Sequence, residues 1–165
     1  TYDTVDWLIK NIANNNANVG IHGISYPGFY TSASIPDAHP AIKAVSPQAP
    51  VTDWFMGDDF HHNGAFFLMD AFAFYYSFGQ PRNGPTQEFA PGFEFPTQDN
   101  YKFYLETGAL KNFTNNYMKG IKFWNDLMQH PNLDDFWKAR NARNYLKNVK
   151  PAVLVVGGLF DAEDT

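Results

Sequence analysis

A chain of 165 residues with 44% hydrophobic content is long enough for one ordinary domain and its core. Its formal net charge of −5, from 17 acidic and 12 basic residues without a basic stripe, speaks against nucleic acid as a partner. No apolar run approaches the ~18 residues of a membrane span, and the lack of cysteine excludes disulfides and thiolate metal sites while leaving the redox compartment open.

Aromatic residues are dense, with 16 Phe, 9 Tyr and 4 Trp. Such density can line a pocket, but a large core is its more ordinary use. The sequence opens at Thr1 inside what reads as a helix, and residues 157–165 stop without an ordinary ending. Both ends read as cuts in a longer protein, so the lack of a targeting segment says nothing about the parent.

The first element is an amphipathic helix. Tyr2, Val5, Leu8, Ile9 and Ile12 fall at helical spacing, with Asp3, Asp6 and Lys10 opposite. The asparagine cluster at 14–18 ends it, because asparagine tolerates turns and left-handed backbone. A buried strand over 19–24 follows, then a helix of small residues over 27–34, then a break at 35–40. Residues 42–46 read as a second strand, stopped by Pro47 and Pro50. Helix, strand, helix, strand is the alternation of a parallel α/β sheet.

Beyond Trp54 the texture changes. From 58 to about 147 no strong strand is predicted, only aromatic helical runs at 64–78, 100–110, 115–130 and 133–147, with a proline- and glycine-rich loop at 80–96. Residues 152–156 then form an unmistakable buried strand. The predicted organisation is therefore a core over 1–57, a helical insertion over 58–148 and a returning core strand with its loop over 149–165. An insertion of that length is a subdomain rather than a loop.

Between the first strand and second helix lies Gly23-Ile24-Ser25-Tyr26-Pro27-Gly28, which reads as a nucleophile elbow. A strand delivers the serine to a turn tight enough to demand small neighbours, and the next helix starts at once. Pro27 stands where the common motif has glycine, and proline is acceptable in a first helical turn. A serine in an ordinary strand-to-helix turn would give the same pattern. Asp161, just past the last strand, is placed to be the acid of a serine–acid–histidine triad, although a solvated loop aspartate reads alike. His22, His39, His61, His62 and His130 all precede it, so the expected base lies beyond residue 165 and the chain alone is expected to be inactive.

These residues carry a resemblance. Residues 3–8, then Val19-Gly20 leading to Gly23-Ile24-Ser25-Tyr26-Pro27-Gly28-Phe29, resemble the CocE/NonD and X-Pro dipeptidyl-peptidase (S15) group of serine hydrolases, in which glycine does come three residues after the nucleophile. Residues 54–60 with Gly64-Ala65-Phe66, and residues 158–164, resemble the α-amino-acid ester hydrolases, a branch that includes glutaryl-7-aminocephalosporanic acid acylases. The resemblance implies part of an α/β-hydrolase fold whose helical insertion is a cap with aromatics lining an acyl pocket. It implies Ser25 as nucleophile, Asp161 as triad acid and the Tyr26 N–H in the oxyanion hole. Asp59, Glu163 and Asp164 match carboxylates that bind the substrate's α-ammonium group.

The implied reaction is hydrolysis of esters or amides of α-amino acids, β-lactam-type amides included, through an acyl-enzyme, with no cofactor and no metal. A small ester or amide is the expected partner, without nucleic acid or membrane. Homo-oligomerisation of the full-length protein stays open, and the resemblance favours a periplasmic or secreted parent. Two other readings remain: an acylase or X-Pro dipeptidyl-peptidase-like hydrolase without an α-ammonium requirement, and a non-catalytic protein on a hydrolase fold.

Overall fold

The asparagine-rich turn is the first device to shape the chain. Helix α1 (Tyr2–Asn11) stops where the Asn15 side-chain amide donates to the Ile9 and Ile12 carbonyls, and Asn14 and Ala17 take positive φ. A side chain satisfying the orphaned C-terminal carbonyls is what lets a short helix end cleanly. The computed structural model describes residues 1–161, Asp58 by its backbone alone.

The predicted alternation gives a parallel sheet. Strand β1 (Val19–Ile24) pairs in parallel with β2 (Ile42–Gln48) from Val19↔Ile42 to Ile24↔Gln48, with one irregularity at Val19/Gly20. Helix α2 (Tyr26–Ala33) packs against both strands. The returning strand β6 (Ala152–Val153) adds in parallel to β2, giving the order β1-β2-β6.

Pro47 does not stop β2 as the sequence suggests. In a parallel ladder a residue turns its N–H and C=O toward the same neighbour. The Pro47 carbonyl accepts from the Val156 N–H at 3.2 Å, so the missing proline N–H removes a rung on the β6 side only. The β1 side is untouched, and β2 runs on to Gln48. Beyond Val153 the pairing with β2 survives as the isolated Gln48↔Val156 bridge. The strand expected over 152–156 is thus regular for two residues.

One face of the sheet carries the core: Val5, Ile35, Ala41, Ile42 and Val45 are buried, with Ile9, Val19, Ile21, Ala38 and Leu146 packed against them. The expectation that strands 19–24 and 152–156 are buried is overturned. Ile24 is exposed, and Leu154 and Val155 are 64% and 65% exposed. Among the described residues nothing covers the face formed by Gly20, His22, Ala44 and Ser46.

The region from 58 onward also departs from its predicted lack of strands. After β3 (Gly57–Asp58) and β4 (His61–His62), which pair antiparallel, comes a third short strand, β5 (Ala65–Phe66). The β4–β5 turn is Asn63-Gly64, both at positive φ as a type I′ hairpin needs. Beside this ribbon Phe55, His61 and Trp137 form a tight aromatic trio with ring centroids 5.0–5.4 Å apart. The buried His61 Nδ1–H donates to the Trp54 carbonyl at 3.1 Å. Burial holds its pKa below the ordinary histidine value, partly offset by that hydrogen bond.

The chain divides into two compact units, one comprising Thr1–Ala65 with the chain from Asp134 onward, the other Phe66–Leu133. The second unit is helical: α3 (Leu68–Phe78), α4 (Asn100–Thr107), α5 (Leu110–Phe113) and α6 (Lys122–Gln129), with a π turn at Thr114–Met118. Asp99 caps α4 by accepting from the Lys102 N–H, and Gly108 at φ 76 ends it. The single helix expected over 115–130 is instead broken into the π turn and α6 around Gly120. The aromatics build this unit's own core: Phe72 is fully buried among Phe93, Phe103, Phe113 and Trp124. In the first unit, the helix expected over 133–147 shortens to α7 (Asp135–Lys138) and a 3₁₀ turn at Ala142–Tyr145.

Two outcomes follow from this packing. Phe72→Ala costs about 3–5 kcal/mol in denaturant unfolding, whereas Phe89→Ala, at a ring 83% exposed, stays within about 0.5 kcal/mol. The unfolded chain protonates His61 more readily than the folded one, so its contribution is complete above about pH 6.5 and is lost as pH falls below that. His61→Asn keeps a donor for the Trp54 carbonyl without the titration, and unfolding curves across pH 5–7 should show a shallower slope for it.

Candidate active site

Ser25 closes β1 and opens α2, and its backbone records the tightness of that turn. It lies at φ 64 and ψ −126, a region L-residues avoid at a cost on the order of 1–3 kcal/mol. Two glycines make the turn sterically feasible. A Cβ on Gly23 would overlap the Pro27 carbonyl, and one on Gly28 would stand 2.5 Å from the Gln48 carbonyl oxygen. The Ser25 N–H donates to that same Gln48 carbonyl at 3.0 Å, and the Ser25 carbonyl accepts from Phe29 N–H at 3.0 Å. The strained residue is thus held from both sides, with its side chain on an exposed residue.

The serine's own amide is committed to the sheet, so the first helical amide after it belongs to Tyr26, the predicted oxyanion donor. Pro27 sits in the first turn, where its missing N–H costs nothing, and its carbonyl accepts from the Thr31 hydroxyl at 2.9 Å. Backbone N–H groups and the helix dipole at this terminus suit a developing negative charge.

Parallel pairing puts the carboxyl ends of all three strands on one edge. Ser25 follows β1, and Asp161 follows β6 in a turn closed by its N–H donating to the Gly158 carbonyl at 2.8 Å. With one strand between them, β1 and β6 are about 10 Å apart, two strand spacings. In a triad a histidine stands between the serine and the acid and couples them. Asp161 is half-buried.

Asp59 and Phe60 form the turn between β3 and β4, in register from the Asp58↔His61 pair. Asp59 is half-buried at the tip of a ribbon whose base is firmly tied. That tie is Asp53, which the sequence reading passed over. Its Oδ1 accepts from the Phe55 and Met56 N–H groups at 3.3 and 3.1 Å. Its Oδ2 accepts from Asn141 Nδ2 at 2.6 Å and from the Arg143 guanidinium at 3.1 Å. Trp54 meets Phe29 of α2 edge-on at 5.8 Å, linking this segment to the helix that Ser25 opens. Glu163 and Asp164 lie outside the described residues.

Two histidines of the first unit, His39 and His61, are committed elsewhere. His22 is exposed on the open sheet face. His39 is buried with Nδ1 accepting from the Ala41 N–H, which fixes the proton on Nε2, 3.7 Å from Asp6. His61 is held in the aromatic trio. Among the described residues no group of three or more His, Asp or Glu side chains gathers as a metal site would require.

Among curated protein sequences none matches. Solved structures that share the fold include an aminopeptidase from the marine sediment archaeon Thaumarchaeota archaeon, at 36% identity and TM-score 0.83, and a selenomethionine-labelled α-amino-acid ester hydrolase, at 30% identity and TM-score 0.84. Each alignment covers 99% of this chain but 26% of the other, so the chain spans about a quarter of their length. The model of the X-Pro dipeptidyl-peptidase (S15) family matches residues 1–165. With the strained serine, the parallel strand order and this match along its whole length, the chain belongs to the X-Pro dipeptidyl-peptidase (S15) family.

Proposed function

We propose that the protein carrying this chain is a serine hydrolase that cleaves esters or amides of α-amino acids through an acyl-enzyme on Ser25. The observation that carries the reading is the backbone of Ser25 at φ 64, with its amide bound to Gln48 and a helix beginning at the next residue. A turn kept at that cost presents Oγ above the sheet edge, and strain of this kind clusters where function requires it.

In the proposed reaction Oγ attacks the substrate carbonyl while a histidine takes its proton. The tetrahedral oxyanion is stabilised by the Tyr26 N–H, and the leaving alcohol or amine departs with that proton. Water then hydrolyses the acyl-serine by the same route. Asp161 orients the histidine and stabilises its imidazolium form. No histidine follows Asp161 in the sequence, so we assign the base to a part of the parent outside these 165 residues. On this reading the 165 residues alone do not turn over substrate. We assign residues 1–57 and 149–165 to the catalytic core and 58–148 to an insertion.

The substrate class rests on charge. An α-ammonium beside the scissile carbonyl calls for concentrated negative charge in a partly dry site. Asp59 supplies it from the ribbon tip, with Glu163 and Asp164 as its proposed companions. The names of the two structural relatives, an aminopeptidase and an α-amino-acid ester hydrolase, agree with an α-amino acyl substrate. The family name favours a second reading, an X-Pro dipeptidyl peptidase or acylase that places no demand on an α-ammonium group adjoining the carbonyl.

In the natural polypeptide containing this chain, Ser25→Ala lowers kcat/KM at least about a thousandfold and abolishes labelling by a fluorophosphonate probe. Ser25→Gly loses activity equally yet gains about 1 kcal/mol of stability over Ser25→Ala, because glycine accepts positive φ without strain. Undiminished turnover in Ser25→Ala sinks the acyl-enzyme. Asp59→Asn raises KM for an α-amino ester at least about tenfold more than for its des-amino analogue. Equal effects on the two esters favour the second reading.

A further inference from the structure

We propose that Asp53 is a positioning residue for substrate recognition, a buried clamp that sets where Asp59 stands. The inference rests on the reading of Asp59 as a ligand for the substrate's ammonium group.

The clamp is built from both sides of the 66–133 unit in sequence, though all of it lies within the other unit. Asp53 is 7% exposed and accepts four hydrogen bonds, two on each oxygen. The two on Oδ1 come from its own segment and fold the backbone of Phe55 and Met56 around the carboxylate. The two on Oδ2 come from Asn141 and Arg143. A backbone bond from the Ala142 N–H to the Thr52 carbonyl at 3.0 Å runs alongside. Asn141 is fixed in turn, since its Oδ1 accepts from the Arg143 N–H at 3.1 Å.

From this anchor the chain has little freedom before Asp59. The Asp53 carbonyl accepts from the Gly57 N–H at 3.3 Å, and β3 begins at that glycine. The Met56 and Phe55 carbonyls then accept from Asn63 and Gly64, closing the ribbon below its tip. Asp59 therefore stands two residues beyond a point fixed by the clamp. An ion pair whose arginine is largely exposed is a poor source of stability, because solvent screens it. What a carboxylate with four directed bonds adds is geometry, and a group binding an ammonium needs to be placed to about half an ångström.

Removing Arg143 separates positioning from plain electrostatics. Deleting a nearby positive charge makes the surroundings more negative, which by itself tightens binding of a cation. Loosening the clamp weakens it. The two effects on KM have opposite signs.

The test uses the natural polypeptide containing this chain, with an α-amino ester and its des-amino analogue as paired substrates. Arg143 has a largely exposed side chain, so Arg143→Met is expected to fold, with circular dichroism as the check. Expected for Arg143→Met and Asp53→Asn is a KM for the α-amino ester raised about three- to tenfold, with kcat and the des-amino KM each within about twofold. Arg143→Lys returns KM toward the wild-type value. In the Asp53→Asn, Asp59→Asn double variant KM rises no further than in Asp59→Asn alone. A fall in KM, equal changes with both esters, no change, or additive effects in the double variant overturns the clamp. If Asp59→Asn itself fails to distinguish the esters, the ammonium reading falls first, and the experiment reports that separately.

Discussion

The carbonyl of Gln48 does more to organise this molecule than any side chain. It accepts the Ser25 N–H, and it lies so close to Gly28 that no side chain fits between them. One oxygen at the end of β2 therefore fixes both the residue before the helix and the first turn of the helix itself. The left-handed backbone of Ser25 is tolerable because neither flank can relax. Had either glycine carried a side chain, helix and sheet would have to part, and the serine would leave the edge where the other strand ends deliver their residues.

That edge is the second constraint. In a parallel sheet every strand arrives in the same direction, so residues far apart in sequence reach one rim without a dedicated scaffold. Ser25 and Asp161 reach it from β1 and β6, and the segment containing Asp53 leaves it after β2. Asp53 then provides a buried tie between a segment on one side of the 66–133 unit in sequence and a segment on the other.

What the sequence disclosed and what it hid divide along physical lines. The elements of the core were readable because local signals agree there: apolar spacing in α1, asparagines that end it, and glycines around Ser25. Proline misled once, at Pro47, since a missing N–H breaks a strand only on the side to which that N–H points. The ribbon at 57–66 carried a legible mark, Asn63-Gly64, but strands of two residues have no periodicity to read. Asp53 was invisible for another reason. Its partners lie 88 and 90 residues away, and no local pattern announces a contact at that range. Burial of the strands was misjudged because an apolar run shows a preference for cover and cannot show whether cover is supplied.

The outermost strand makes that last point tangible. Residues 152–156 run Ala-Val-Leu-Val-Val without a charge or a proline, and among the described residues β6 has β2 on one side only. Its other backbone edge and its exposed valines and leucine form a ready template for any extended chain that approaches. Natural sheets guard such an edge with lysine, proline or a bulge, and this run has none of them. A polypeptide limited to these residues would thus carry the seed of its own aggregation, and its behaviour on a bench would be governed by colloid chemistry before enzymology.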